Sequence, residues 1–177
     1  MRNTKVITGK VRLSYVNVFK PRAAEEGQEP RYSLCILIPK NDKETISKIN
    51  LAIEDAKSEG MSLWGAITDG LKIPLRDGDE ERGDREEYIH HYFLNATSKQ
   101  KPGIVDRNLK EITDESKVYS GCYGRVSIRF YPFNKNDSKG IGCTIFNVQK
   151  LSEGEALGKS RACDDFSIIY DNDDILG

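Results

Sequence analysis

No stretch of this sequence approaches the ~18 consecutive apolar residues that a membrane span needs. Its opening, MRNTKVITGKVRL, has no apolar secretory core, so the expected compartment is the cytoplasm, or the host cytoplasm if a phage encodes it, with no membrane partner. Histidine is nearly missing. His90 and His91 are the only two, and as neighbours on a strand they would point to opposite faces, which is poor geometry for joint metal ligation. The four cysteines, Cys35, Cys122, Cys143 and Cys163, form no C-x-x-C pair and sit among apolar or strand-like neighbours. Reduced, packed thiols are therefore expected rather than zinc sites or disulfides. A basic recognition helix is also lacking. The clearest helical pattern, 42–57, balances lysines 43, 48 and 57 with Asp42, Glu44, Glu54 and Asp55, which disfavours reading of a duplex groove. There is no internal repeat, and no residue pattern calls for a cofactor or a metal.

What the sequence does have is segregated charge. Its 27 Lys+Arg and 28 Asp+Glu nearly cancel, yet residues 1–40 carry a net +5, 41–94 a net −6, 95–150 a net +5 and 151–177 a net −5. Alternating basic and acidic blocks point to a polyanion partner more directly than the overall charge does, although a solvated surface can cluster charge too.

Along the chain, β-branched residues predict a strand over 4–19 with a bend or bulge at Gly9, a polar loop over 21–30, and a second strand over 31–39. Asn41 and Glu44 suggest a capping box for a helix whose Ile46, Ile49, Ile53 and Ala56 recur at helical spacing up to Gly60. A short second helix would hold Trp64 in the core. Residues 76–87, RDGDEERGDREE, read as a solvated, mobile loop, followed by a strand over 88–99 and further strands to about residue 158. The order indicates a mainly β domain carrying inserted helices.

The most informative stretch is 119–158. If 125–131 is a strand, Arg125, Ser127, Arg129 and Tyr131 share one face and Val126, Ile128 and Phe130 the other. Successive positions on the polar face lie about 7 Å apart. Guanidinium groups suit phosphates and an aromatic ring suits a base, the combination that sequence-tolerant single-strand binding uses. Cross-strand carboxylates pairing with both arginines remain an alternative for the same pattern. Basic–aromatic neighbours recur in VRLSY, VFKPR, PRYS and SKQKPG, though Phe19 and Tyr32 could be core. The candidate DNA contacts are Arg12, Tyr15, Lys20, Arg22, Lys99, Lys101, Tyr123, Arg125, Arg129, Tyr131, Lys135 and Lys139.

SGCYGRVSIRFYPF, followed after a short loop by KGIGCTIFNVQKLSEGEALG, resembles the single-stranded-DNA-binding proteins of tailed bacteriophages. The opening TGKVRLSYVNVFKP and its following YS strand resemble that family's first two strands, so the likeness spans about 4–158. It implies an OB-fold-like Greek-key barrel with an inserted helix, expected over 1–160, and single-stranded DNA as the partner. It also implies a role in replication or recombination rather than catalysis.

Residues 161–177 form an acidic–hydrophobic tail, expected to be flexible. Asp164, Asp165, Phe166, Tyr170, Asp171, Asp173, Asp174, Ile175 and Leu176 resemble the ends of single-strand binders that recruit replication enzymes such as a polymerase or helicase. Alternatively FSIIY adds a strand to the body or to a neighbouring subunit. Self-association as a homodimer is left open. Two rival readings are a metal-dependent nuclease or junction-processing enzyme built on Asp77, Asp79, Glu80 and Asp84, and a protein-interaction module whose basic face docks an acidic partner.

Overall fold

A computed structural model describes residues 3–23, 25–65, 69–135, 138–158 and 167–169. The strands are β1 (Lys5–Ile7), β2 (Val11–Arg22), β3 (Arg31–Pro39), β4 (Arg76–Asp77), β5 (His91–Ser98), β6 (Gly103–Val105), β7 (Tyr123–Lys135) and β8 (Ser138–Ser152). Helices α1 (Lys43–Glu59) and α2 (Met61–Trp64) follow β3, and α3 (Gly78–Glu81) follows β4.

Five strands close a barrel. β2 pairs with β3, β3 with β5, and β7 with both β8 and β2, all antiparallel, while the β5–β8 seam is parallel at Thr97 and Thr144. This closed, mainly β architecture, with the helix inserted between the second and third barrel strands, is the OB-like fold that the resemblance implied. The expected first strand is two strands. Gly9 marks the break, its N–H donating to Thr45 Oγ1 at 2.9 Å, and a Cβ there would meet the Asp42 carboxylate at 2.7 Å. Glycine is thus what lets the strand cross the start of α1 at contact distance. β1 then pairs with the edge of β7.

Residue Asp42, not Asn41, caps α1. Its carboxylate accepts from Thr45 N at 3.1 Å and Thr45 Oγ1 at 2.6 Å, because Thr45 is buried and can be satisfied only from within. Glu44, the other half of the expected capping box, pairs with Lys48 instead. The helix packs Ile49, Ala52, Ile53 and Ala56 into the main core with Val126, Ile128 and Phe130 of β7. Trp64 is buried there, as its apolar bulk suggests.

The largest departure from expectation is 76–88, which is an ordered cap rather than a mobile loop. β3 is buried on both faces: Leu34, Ile36 and Ile38 point into the barrel, whereas Cys35 and Leu37 form an outer cluster with Tyr88 and Phe93, against which Leu157 packs. Arg76 and Arg82 lie over the Phe93 ring at 5.1 and 5.6 Å, and Arg85 lies over Tyr88 at 5.2 Å. Lys40 joins Asp77 and Asp79, each at 2.7 Å, and Asp79 also accepts the His90 N–H at 2.9 Å. Charge density suggested solvation, but these charges satisfy one another above an aromatic layer. In consequence β5 starts at His91 rather than 88: Tyr88 turns inward and His90, with φ of 62°, precedes the strand.

The cap should respond to acid. Lys40 holds the Asp77 and Asp79 carboxyls below their usual range, and Arg76 does the same for Glu81. Depressed folded-state values mean that this contribution is complete above the ordinary carboxylate range, about pH 4, and disappears as pH falls through the lower folded values. Hydrogen-exchange protection of the His90 amide should therefore drop on acidification below about pH 4, before that of Ile128. Simultaneous loss at both amides would mean that the cap is not an acid-labile unit.

Cys35, Cys122 and Cys143 are free and buried, and burial pushes their thiols up, Cys35 to about 11, which makes them poor nucleophiles. Cys163 lies outside the described residues. Among the described residues no helix is long and apolar enough to cross a membrane.

Candidate nucleic-acid interface

β7 alternates as expected. Val126, Ile128 and Phe130 are fully buried, while Arg125, Arg129 and Tyr131 face outward. Arg125 Nε donates to the Thr8 carbonyl at 3.1 Å and Arg129 Nε to Thr4 Oγ1 at 3.3 Å. These bonds orient both guanidinium groups from β1 and its extension. Among the described residues neither arginine pairs with a carboxylate.

Tyr131, 36% exposed, lies across Gly142 on β8, its register partner. A Cβ at Gly142 would fall onto the tyrosine ring, so glycine is what permits the ring to lie flat on the sheet. Beside it β8 bulges. Its register against β7 slips between Ser127–Asn147 and Ile128–Ile145, leaving Phe146 without a partner and 38% exposed. The Lys5 ammonium stands 5.5 Å from the centre of the Phe146 ring.

Two depressions join on the outer face of the barrel. The first, about 580 Å³, is lined by Arg22, Gln28, Glu29, Arg31, Ser33, Thr97 and Lys135, between the β2–β3 connection and the β7–β8 hairpin. The second, about 370 Å³, shares Arg31 and Thr97 and adds Lys99, Lys101, Tyr131, Thr144 and Phe146. The result is one groove with five cations and two aromatic rings. Lys101 also stands 5.7 Å over Phe19, a partly buried ring, and Lys99 is 3.7 Å from Glu29 across the rim. Oligonucleotide-binding barrels use this same face, between these two loops.

Of the twelve candidate contacts, Arg22, Lys99, Lys101, Tyr131 and Lys135 line this groove, and Arg125 and Arg129 continue beyond it on β7. The other five lie apart. Arg12 and Tyr123 occupy the opposite end of β7, where Arg12 donates to the carbonyls of Gly121 at 3.1 Å and Glu155 at 2.7 Å. Tyr15, at φ of 47°, accepts from Arg85 at 2.7 Å on the margin of the cap. Lys20 pairs loosely with Glu115 at 3.6 Å, and Lys139 sits on the hairpin, its carbonyl accepting from Lys72 N. Lys5, Phe146 and Asn147 stand outside every basic–aromatic run noted in the sequence, and Arg31 lies in one, PRYS, without being among the twelve candidates. The bulge had a signature: Ile145 and Val148, both buried, stand three apart, and strict alternation cannot accommodate that.

The residues that carried the resemblance mostly hold the barrel together. Gly121, at φ of 116°, packs on the backbone of Glu155, and Gly154 packs on Gly121 and the Tyr123 ring. Leu157 N donates to the Ser120 carbonyl at 2.8 Å, and Tyr119 Oη donates to Glu153 at 2.6 Å. Of the acidic residues considered for metal chemistry, Asp77 and Asp79 are both paired with Lys40. Among the described residues no three His, Cys, Asp or Glu side chains are grouped to hold a metal ion. The tail positions from Asp164 to Phe166 and from Tyr170 to Leu176 lie outside the described residues.

The fold is similar to the single-stranded DNA-binding protein of bacteriophage Enc34, solved in complex with single-stranded DNA, with a TM-score of 0.77 and 26% identity over 88% of this chain and 90% of that one. Bacteriophage T7 gp2.5, a single-stranded DNA-binding protein, shares the fold at a TM-score of 0.62 and 15% identity, over 91% of this chain and 98% of its own. Putative protein p50 of Acyrthosiphon pisum secondary endosymbiont phage 1 is 28% identical over 161 residues, 86% of each chain. Residues 4–176 match the family described as Enterobacter phage Enc34, ssDNA-binding protein, and with nearly the whole chain covered this protein belongs to that phage family of single-stranded-DNA binders rather than to a family of enzymes.

Proposed function

We propose that this chain coats single-stranded DNA without sequence preference during phage replication or recombination. The observation that carries the reading is the joined groove, in which Arg22, Arg31, Lys99, Lys101 and Lys135 surround Tyr131 and Phe146. Cations there take phosphates and the two rings take bases, and every base has a face to stack. The related Enc34 protein, solved with single-stranded DNA, supports the same assignment.

Fluorescence anisotropy with matched single- and double-stranded oligonucleotides tests it. Single strands should bind more tightly, and log K should fall with log salt at a slope near 3.5 if all five groove cations meet phosphates, at about 0.7 each. Equal duplex affinity, or a slope near zero, would sink the reading. An RNA strand in the same titration reports whether the sugar matters.

We assign residues 1–160 to this binding domain and 161–177 to a separate function, recruitment of a replication polymerase or helicase through its apolar side chains. The tail's acidic charges also complement the groove. In the same titration, a chain ending at residue 160 should bind single strands more tightly at low salt, with the gain shrinking as salt rises.

A further inference from the structure

We propose that a bound strand does not end at Phe146 but turns over it and continues along β7 and β8 to Arg125, a second leg of the binding track outside the groove described above. It rests on the single-strand reading of that groove.

Two further depressions prolong the track. One of about 520 Å³ begins at Phe146 and is lined by Asn3, Thr4, Lys5, Arg129 and Asn147. The next, about 230 Å³, begins at Asn147 and reaches Arg125 and Gln149. Each shares a residue with the one before it, Phe146 and then Asn147, so the depressions lie side by side along the sheet. No carboxylate lines either of these two, whereas Glu29 lines the first groove.

A second observation is independent of the cavities. Lys5 and Arg129 are register partners in the antiparallel β1–β7 pair and face the same way. Like charges directly opposite one another destabilise a sheet. Among the described residues neither cation forms an ion pair with a carboxylate, although Asp55 lines a depression with Lys5 on its other side. Arg129 is aimed by Thr4 and Lys5 by the Phe146 ring. A phosphate between the two cations turns that repulsion into attraction. The bulge aims Phe146 at the turn, where its ring can take one base, and Asn147 offers an amide to the next. Asn147 pairs in register with Gly103 of β6, where a Cβ would collide with its Oδ1, so glycine leaves that side chain its room. Arg125 ends the leg roughly 13 Å from Arg129 along the strand.

The test compares oligothymidylates of about 6 and about 16 nucleotides, within the range that one such barrel covers. Arg125→Gln should flatten the salt slope by about 0.7 on the long strand and leave the short one unchanged, since Arg125 lines only the far end of the second leg. The double variant Lys5→Gln/Arg129→Gln should flatten the salt slope by about 1.4 on the long strand alone. Its melting temperature, and unchanged binding of the short strand, guard against a merely misfolded result. Equal losses on both lengths, or none on the long strand, would overturn the second leg. Failure of the parent chain to bind even the long strand would instead reject the groove itself.

Discussion

Replacing Phe93 by alanine should destabilise the protein by about 3–5 kcal/mol, measured by urea unfolding. The ring is fully buried on the outer side of the β3–β5 pair and meets Tyr88 edge-on, with centroids 5.1 Å apart at 87°. Arg76 and Arg82 rest on it, and Leu37 and Cys35 pack beside it. Removal leaves a cavity beneath a cap whose charges can hold one another but cannot fill it. The cap should therefore be cleaved by trypsin at Arg82 or Arg85 in the variant and resist in the parent. A variant that unfolds at the parent's urea midpoint would mean that the packing of Phe93 between β3 and the cap contributes nothing to stability.

Tyr131→Ala should weaken single-strand binding by about 1–3 kcal/mol while leaving the salt slope nearly unchanged, since a stacked base is lost and no phosphate contact is. Tyr131 belongs to the groove itself, so short and long strands should suffer alike, unlike the Lys5→Gln/Arg129→Gln variant. Gly142→Ala checks the geometry without touching the ring. Its new methyl group would occupy the space over which Tyr131 lies, lifting the ring from the sheet and reproducing part of the loss. Normal binding by both variants would show that the ring stacks on nothing. Ile128, its near neighbour on the buried face, separates the two kinds of effect, because truncation there should change stability before affinity.

What could be read from the sequence was what repeats with a regular period. The 125–131 alternation, the α1 stripe of Ile49, Ile53 and Ala56 with Ile46 at its half-buried margin, and the burial of Trp64 all follow from one side of an element facing a core. The misses arise where two layers compete for one segment. Residues 76–88 are charged, yet β3 carries a second apolar face that needs covering, and the arginines cover it with their planes rather than with aliphatic bulk. Cys35 and Leu37, embedded in the continuous run LCILI, were the available sign of it. The groove was legible as a set of basic and aromatic residues, but not as a path. Arg22, Arg31, Lys99 and Lys135 come from four separate strands or turns, and only barrel closure brings them to one cleft. Arg12 and Tyr123 looked equally suitable in one dimension and lie at the far end of β7.

The parallel seam between Thr97 and Thr144 has a consequence for how the chain folds. Strands β5 and β8 meet only after the intervening segment has folded back, and Arg12 reaches Glu155 across 143 residues. Loops that long must close before their contacts repay the lost entropy, which places such barrels among the slow folders, on the millisecond-to-second scale. Hairpins such as β7–β8 can form early, but the groove exists only once the seam has shut. A strand of DNA therefore has no partial site to grip on the unfinished chain. Its binding energy falls entirely on the closed barrel, so DNA should slow unfolding without hastening folding.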